Sequence, residues 1–307
     1  MKKVLVATEK PFASVAVDGI RKVLAEAGYE LALLEKYTSK AELLEAVSDV
    51  DALIVRSDKV DAEFLNAAQK LKIVVRAGAG YDNIDLGSAT SHGVVAMNTP
   101  GQNSNAVAEL VLGLLVYAVR NFYNGKAGTE LKGKKLGILA FGNVGRNVAR
   151  IAKGFEMEVL AYDAFCPSDV IEAAGVKAVG STAELFEQSD IVSLHIPATP
   201  ETVKSINAEL VGKLPKGGIL INTARKEVVD EASLISLMTN RTDIKYITDI
   251  KPDADLEFNE KFADRYFATP KKMGAQTAEA NINAGLAAAN QIVAFFKDGV
   301  TRFQVNK

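Results

Sequence analysis

Short runs of β-branched residues alternate with amphipathic helical patterns along this chain, and the alternation constrains its fold more than any other feature. It is typical of parallel sheets whose strands are joined by helices. A helix over about 14–27, stopping at Gly28, follows the first strand. The first third of the chain contains five predicted strands, at 4–8, 31–35, 52–57, 73–80 and 94–101. The pattern therefore predicts a parallel, doubly wound sheet.

A long apolar helix over about 104–121 separates this series from a second one, and another helix is predicted over 277–296. Every strand of the second series except the last precedes a helical pattern. These strands are predicted at 136–142, 158–165, 191–197, 217–225 and 244–250. A chain of 307 residues suits two domains of about 100–200 residues each. We therefore expect an α/β protein of two doubly wound parallel-sheet domains around a cleft.

Composition narrows the classes of partner and the compartment. The 36 basic and 38 acidic residues give a net charge of -2, so no overall field attracts nucleic acid or an acidic membrane. The single cysteine, Cys166, cannot form an intramolecular disulfide. The N-terminus has no long apolar leader, and no segment approaches the roughly 20 apolar residues of a membrane span. We expect a cytoplasmic protein with a small-molecule substrate and without a metal site.

The segment LGILAFGNVGRNVARIA combines an apolar strand, a glycine-rich turn and a helix, which is the context of a dinucleotide fingerprint. Gly142 would let the backbone approach a pyrophosphate, and Gly145 would let the helix pack against the strand. Asn143 and Val144 would offer free N–H groups at the helix N-terminus. Ala140 occupies the first glycine position, where alanine fits only if its φ is negative. By itself the motif also suits a strand–helix turn without a ligand.

Asp163 ends the next predicted strand, about 20 residues after the glycines, where an acidic side chain accepts the ribose hydroxyls of NAD. The carboxylate would repel a 2′-phosphate, and the following AFCPS supplies no arginine to bind one. The residue favours NAD over NADP, unless it is simply a solvated aspartate. The second domain is therefore predicted to be a Rossmann-like NAD-binding domain over 99–284, and residues 1–98 plus 285–307 a substrate-binding domain.

Three segments resemble the D-2-hydroxyacid dehydrogenase family: LINTARKEVVDEASL, ITDI and TPKKMGAQTAEAN. The resemblance covers essentially the whole chain. It implies that Arg225 grips the substrate carboxylate with a planar guanidinium while polarising the adjacent carbonyl. It also implies further contacts to the cofactor from His195, Pro197, Thr223, Ala224, Asp249, Gly274 and Ala275.

The catalytic histidine of the family is replaced here by Lys272, with Lys271 beside it. A lysine ammonium can donate a proton to a carbonyl oxygen, and the neutral amine can accept one. Its reference pKa of about 10.4 would have to fall, and burial beside Arg225 is expected to lower it. The only histidines of the chain, His92 and His195, are expected to be peripheral to the acid–base chemistry.

The acidic partner of that histidine is also replaced, by Ala254. A carboxylate next to a lysine would form a tight ion pair and raise the pKa of the lysine, so the two replacements are chemically consistent. Asp253 and Asp255 flank the position and either could assist. The acid therefore stays unassigned.

The runs IVRS and VVRAGAGYDNID resemble the 3-phosphoglycerate branch of the family. Arg56 and Arg76 end successive predicted strands, and two guanidinium groups suit a phosphate dianion, although each could instead be a surface ion pair. Backbone N–H groups at Gly78, Ala79 and Gly80 could hold the substrate carboxylate. Further candidate substrate contacts are Ser57, Asn103 and Ser104.

The expected reaction is the NAD-dependent oxidation of 3-phospho-D-glycerate to 3-phosphohydroxypyruvate, which opens L-serine biosynthesis. The resemblance also implies a homodimer formed through the region of the 104–121 helix. Two alternatives remain. One is a dehydrogenase for another 2-hydroxyacid, such as glyoxylate, hydroxypyruvate or D-lactate. The other is a non-catalytic NAD-sensing protein with the same fold.

Overall fold

A computed structural model describes residues 1–307, which form two compact units. The N-terminal unit comprises Met1–Asn103 and Thr277–Lys307, and the central unit comprises Ser104–Gln276. The predicted borders at 98 and 284 differ from these limits. Thr99 stays with the first unit because its N–H donates to the Gly78 carbonyl at 2.9 Å. Thr277 opens the last helix, since its hydroxyl accepts the N–H of Ala280.

The N-terminal unit is built around a five-stranded sheet in the order β2-β1-β3-β4-β5, with all strands parallel. Its strands are β1 Lys3–Thr8, β2 Glu30–Glu35, β3 Ala52–Val55, β4 Ile73–Arg76 and β5 Val95–Asn98. Its helices are α1 Ser14–Glu26, α2 Lys40–Val47, α3 Ala62–Ala67 and α4 Leu86–Ser91, joined by the returning C-terminal helix Ala278–Asp298.

Alternating residues of β1 explain why both faces of this sheet are covered. Val4 and Val6 pack in one apolar cluster with α1 and the C-terminal helix. Leu5 and Ala7 pack in another with α2 and α3. Side chains of a strand alternate between the faces of its sheet, so a strand that is apolar throughout is buried on both faces.

The central unit contains a seven-stranded parallel sheet in the order β12-β11-β10-β9-β6-β7-β8. Its strands are β6 Lys135–Leu139, β7 Glu158–Tyr162, β8 Lys177–Ala178, β9 Ile191–Leu194, β10 Ile219–Asn222, β11 Lys245–Thr248 and β12 Tyr266–Ala268. Its helices are α5 Ser104–Val119, α6 Asn143–Gly154, α7 Ser168–Ala173, α8 Thr182–Gln188, α9 Ala208–Val211, α10 Glu231–Asn240 and α11 Asp255–Phe262, so the C-terminal helix is α12. None of the twelve helices is both long and apolar enough to span a membrane.

The order of strands in the central sheet fixes where a ligand can bind. The chain runs from β6 to β7 in one direction and later returns to β9 on the other side of β6. Ligands of open parallel sheets bind beyond the carboxyl ends of the strands at such a reversal. The segments after β6 and β9 are therefore the first place to look for a site.

The end of the central sheet differs from the sequence prediction. No helix was expected after β11, yet α11 and β12 follow it. Phe258 and Phe262 of α11 are buried against Tyr246 and Tyr266, with the rings of Phe258 and Tyr266 stacked at a centroid distance of 4.9 Å. These contacts are tertiary, and local periodicity does not reveal them.

Candidate active site

The turn between β6 and α6 leaves a helix N-terminus available to a ligand. Helix α6 begins after Gly142, and no side chain caps its first N–H groups, which include those of Asn143 and Val144. A Cβ added to Gly142 would meet nothing within 4 Å, whereas one added to Gly145 would lie 2.3 Å from the carbonyl oxygen of Ala140. Gly142 thus faces open space, and the absence of a side chain at Gly145 permits close packing of the helix against the strand. Both observations fit a bound pyrophosphate.

Ala140 contradicts the expectation of a negative φ. Its φ is +78°, in the left-handed region that glycine prefers. Its N–H donates to the Tyr162 carbonyl at 2.8 Å, which ties the start of the turn to β7. The chain therefore keeps the backbone shape of a glycine turn and accepts the steric strain of the alanine Cβ.

Asp163 lies directly beyond β7, where it organises the neighbouring backbone. One carboxylate oxygen accepts the N–H of Phe141 at 2.7 Å. The other accepts the N–H groups of Phe165 and Cys166 at 2.8 and 2.9 Å. The carboxylate is therefore fixed beside the glycine-rich turn, as a ribose acceptor would need to be.

One residue near Asp163 was missed from the sequence. No arginine follows Asp163 in the chain, but Arg146 of α6 reaches the same loop, and its Nη2 donates to the Cys166 Sγ at 3.3 Å. The signal was present, because Arg146 directly follows Gly145 and must lie in the first turn of the helix. Folding brings this arginine to the loop where the sequence suggested none.

The segment after β9 carries His195 and Pro197. The backbone N–H of His195 donates to the Leu139 carbonyl at 2.9 Å, which places this residue beside the end of β6. Its Nε2 pairs with the Ser193 hydroxyl at 2.9 Å, and burial lowers the pKa of His195 to about 3. The ring is therefore neutral at physiological pH and unsuited to donating a proton. The carbonyl of Pro197 accepts the hydroxyl of Thr202.

The loop after β10 is held by Asn222, whose side chain accepts the N–H of Ala224 and donates to the carbonyl of Arg225, both at 2.9 Å. Thr223, the residue between Asn222 and Ala224, is buried, and its hydroxyl oxygen has no hydrogen-bond partner. A buried hydroxyl without a partner is costly and suits a site that a ligand completes.

Arg225 and Lys272 meet at a single acceptor. The Nη1 of Arg225 and the Nζ of Lys272 each donate to the carbonyl oxygen of Ala224 at 2.9 Å. The two cationic groups therefore lie within twice that distance of each other, although 47 residues separate them in the chain. The structure thus brings together the two residues that the sequence predicted to work as a pair.

The surroundings of Lys272 correct one expectation. Burial was expected to lower its pKa, but the residue is exposed, as is Lys271. Lys271 belongs to a turn in which its carbonyl accepts the hydroxyl of Thr269.

A buried carboxylate, Asp249, lies behind this pair. The residue is fully buried, and one of its oxygens accepts the N–H of Gly274 at 2.8 Å while the other has no partner. Burial raises the pKa of Asp249, and the nearby charges of Lys272 and Arg225 oppose the rise. A Cβ on Gly274 would lie 2.9 Å from the carboxylate, so a larger residue there would displace one of the two. Ala275, also a predicted cofactor contact, is partly buried beside it.

The two other candidate acids are occupied elsewhere. Asp253 forms an ion pair with Lys226 and is largely exposed. Asp255 accepts the hydroxyl of Tyr266 at 2.7 Å and pairs with Lys251 at 3.1 Å. Each of the two carboxylates thus has a partner other than Lys272. Asp249, which the sequence assigns to the cofactor only, does interact electrostatically with the cationic pair.

In the N-terminal unit, Arg56 and Arg76 lie side by side at the ends of β3 and β4. The Nε of Arg76 donates to the carbonyl of Arg56 at 3.0 Å. The guanidinium of Arg56 also donates to the carbonyls of Lys10 and Pro11 and to the Asn281 side chain, at 2.9, 3.1 and 2.6 Å. Burial lowers the pKa of Arg56, which nevertheless stays charged. Both arginines thus have protein partners as well as the role predicted for them.

The backbone after β4 bends closely around Arg76. Gly78 has a φ of +151°, and a Cβ there would overlap the guanidinium of Arg76, so only glycine fits. The carbonyl of Ala79 accepts the side chain of Asn98 at 2.6 Å. The other predicted substrate contacts differ in exposure: Ser57 is exposed, Gly80 and Asn103 are partly buried, and Ser104 is buried at the start of α5.

Comparison with known proteins adds independent observations. Residues 117–270 match the NAD binding domain of the D-isomer specific 2-hydroxyacid dehydrogenases. The crystal structure of NAD+-bound 3-phosphoglycerate dehydrogenase from Entamoeba histolytica is 49% identical, with a TM-score of 0.90 over 100% of this chain and 99% of that one. These likenesses confirm the predicted α/β fold with two parallel sheets and the predicted NAD-binding domain.

Two further relatives differ in length and name. D-3-phosphoglycerate dehydrogenase from Methanocaldococcus jannaschii is 36% identical over 88% of this chain and 54% of its own. Hydroxypyruvate reductase from Thermotoga maritima is 36% identical over 86% of this chain and 90% of its own. The chain thus spans little more than half the length of several D-3-phosphoglycerate dehydrogenases that it resembles.

Proposed function

This chain belongs to the D-isomer specific 2-hydroxyacid dehydrogenase family, and we propose that it oxidises 3-phospho-D-glycerate to 3-phosphohydroxypyruvate with NAD. The family membership supports the reaction type. The observation that carries the proposal is the meeting of Arg225 and Lys272 at the carbonyl of Ala224. The full-length likeness to the Entamoeba histolytica enzyme favours the phosphorylated substrate. In this role the protein would catalyse the first step of L-serine biosynthesis.

The central unit supplies the contacts for NAD, which accepts a hydride from C2 of the substrate when bound. The N–H groups of Asn143 and Val144 would hold the pyrophosphate, because the start of α6 is uncapped and faces open space. The carboxylate of Asp163 would accept the ribose hydroxyls. The unpartnered oxygens of Thr223 and Asp249 are polar groups that a bound cofactor can satisfy.

The two cations would divide the work on the substrate. The guanidinium of Arg225 binds the carboxylate in bidentate fashion and so orients C2. The neutral amine of Lys272 removes the proton of the C2 hydroxyl as the ketone forms, and the ammonium returns it in reduction. The negative charge of Asp249 would offset part of the positive charge of this pair. We propose this lysine chemistry in place of the histidine typical of the family.

Arg56 and Arg76 would bind the phosphate of the substrate. Support comes from their adjacent positions at the ends of β3 and β4. A phosphate would compete for the N–H groups that Arg56 now directs to Lys10, Pro11 and Asn281. A homodimer and a cytoplasmic location stay predictions from the sequence.

The test is NADH formation from 3-phospho-D-glycerate by the purified protein at alkaline pH, followed by absorbance. D-Glycerate and D-lactate serve as matched substrates without phosphate, and an Arg225→Ala variant serves as the enzyme control. We expect turnover of the phosphorylated acid, weaker turnover of the other two, and none with the variant. Equal rates with D-glycerate would contradict the phosphate assignment, and no turnover in either direction would contradict the enzymatic one.

One alternative substrate has specific support. The hydroxypyruvate reductase of Thermotoga maritima resembles this chain over most of both proteins, and the guanidinium of Arg56 already has three protein acceptors. Hydroxypyruvate carries no phosphate, so it would leave those bonds intact. Comparing NADH consumption with hydroxypyruvate and with 3-phosphohydroxypyruvate separates the two candidates by their kcat/KM.

A further inference from the structure

Arg146 lies in the first turn of α6, directly after Gly145, and its guanidinium rests on the loop that holds Asp163. The Nη2 donates to the Cys166 Sγ at 3.3 Å, and the central carbon of the guanidinium lies 4.9 Å from the centroid of the Phe141 ring. Phe141 and Cys166 are also two of the three residues whose backbone N–H groups bind the Asp163 carboxylate. One cation and one anion are therefore anchored to the same two residues.

The guanidinium of Arg146 and the carboxylate of Asp163 contact the same two residues but do not form an ion pair with each other. The oxygens of Asp163 are occupied by three backbone N–H groups. Arg146 makes no ion pair, and its one hydrogen bond goes to a thiol, which is a weak acceptor. Most donors of this exposed guanidinium are therefore available to an anion. An arginine is the side chain best suited to binding a phosphate.

We propose that Arg146 determines cofactor selectivity together with Asp163, as a binding group for a 2′-phosphate whose attraction the charge of Asp163 outweighs. The proposal rests on the proposed function, because it takes Asp163 as the acceptor of the ribose hydroxyls. NAD and NADP differ only in the 2′-phosphate. The carboxylate repels that group, and the guanidinium attracts it. Removing the carboxylate would leave a cation already in place, so the preference for NAD over NADP would decrease or reverse.

The experiment measures dissociation constants of NAD and NADP by calorimetry, without substrate. The variants are Asp163→Asn, Asp163→Asn with Arg146→Ala, and the matched control Asp163→Asn with Arg150→Ala. Arg150 is one turn further along α6 and binds the Asn105 side chain at 2.6 Å. We expect NADP to bind Asp163→Asn more tightly than the unmutated protein. Adding Arg146→Ala should remove roughly tenfold or more of the NADP affinity, the worth of a charge-assisted hydrogen bond, while Arg150→Ala should not.

A second pair of measurements keeps the proposal testable if Asp163→Asn fails to fold, since Asp163 binds three backbone N–H groups. The single Arg146→Ala variant keeps that carboxylate and should weaken NADP binding while sparing NAD. NADP affinity that does not depend on Arg146, or that falls equally with Arg150→Ala, overturns the proposal while NAD still binds. Failure of the unmutated protein to bind NAD would instead refute the cofactor assignment on which the proposed function depends.

Discussion

At the scale of single residues, the proposed acid–base role of Lys272 is the feature with the largest expected effect on the reaction. A positioned proton donor or acceptor is worth about 10²–10⁴-fold in rate, so Lys272→Ala should lower kcat by that factor while NAD binding is kept. Steady-state kinetics and calorimetry measure the two. The matched control is Lys271→Ala, in the neighbouring exposed residue.

The pH profile gives the same prediction a second readout. Oxidation requires the neutral amine, so kcat/KM should rise with pH well beyond the pKa of about 6.5 of an ordinary histidine. A Lys272→Ala variant with most of its activity would contradict the assignment. If Lys271→Ala were the inactive variant, the proton would be handled by the adjacent residue.

Asp249 gives a prediction for stability. Because burial raises its pKa in the folded protein, the folded state holds this proton more tightly than the unfolded state does. The wild type therefore loses stability as the pH rises from about 3.9 through the folded-state pKa. Asp249→Asn removes this loss and should raise the Tm at neutral pH by a few degrees.

The gain in Tm should shrink as the pH falls towards about 3.9, which thermal unfolding at several pH values would check. The control is Asp253→Asn, which changes an exposed carboxylate and should not show the same gain. A Tm difference for Asp249→Asn that grows on acidification would be inconsistent with a raised pKa.

At the scale of elements, the turn between β6 and α6 contains one glycine that is expected to affect cofactor binding and another that is expected to affect stability. Gly142→Ala should leave stability nearly unchanged, because the φ of -77° suits alanine and the added Cβ meets open space. NAD binding should nevertheless weaken, because that space is where the pyrophosphate is proposed to lie. Gly145→Ala should destabilise the unit itself, since its Cβ would overlap the Ala140 carbonyl. Denaturant unfolding and NAD calorimetry on both variants distinguish these effects, and equal stability losses would refute the distinction.

At Ala140, in the same turn, the reverse substitution from alanine to glycine is expected to stabilise the protein. Its left-handed φ of +78° strains an L side chain, and glycine removes the strain at some cost in chain entropy. Ala140→Gly should therefore raise the free energy of unfolding by up to about 1 kcal/mol, as measured in urea. A loss of stability would mean that the alanine side chain contributes packing that outweighs its strain.

At the scale of the whole molecule, recognition of the phosphate should be separable from the chemistry. Arg56→Ala and Arg76→Ala should each raise the KM for 3-phospho-D-glycerate and leave the affinity for NAD unchanged. They should also reduce the preference for this acid over D-glycerate, which a purely structural role of the arginines would not alter. Unchanged KM values in both variants would favour an unphosphorylated substrate.

Much of this molecule follows from periodicity. Ten of the twelve strands and the parallel topology were predictable because a doubly wound sheet repeats one local pattern. Strand β12 and helix α11 were not, since contacts such as those of Phe258 with Tyr246 and Tyr266 decide them. Strand β8, with only two residues, is too short to show a periodic pattern. Arg225 and Lys272 came from motif spacing. The sequence could not reveal the exposure of Lys272 or the influence of Asp249 on it, because each depends on how separate segments of the chain pack.

The meeting of Arg225 and Lys272 at the Ala224 carbonyl has a consequence for how activities on this fold can diverge. All three residues belong to one compact unit, within residues 104–276. The proposed phosphate arginines lie in the other unit, within its first 103 residues. Under the proposed function, proton transfer and phosphate recognition would be encoded in separate stretches of the gene. Exchange or drift of the first stretch could give a new substrate range without disturbing the acid–base pair, so relatives with different substrates need differ little in their central unit.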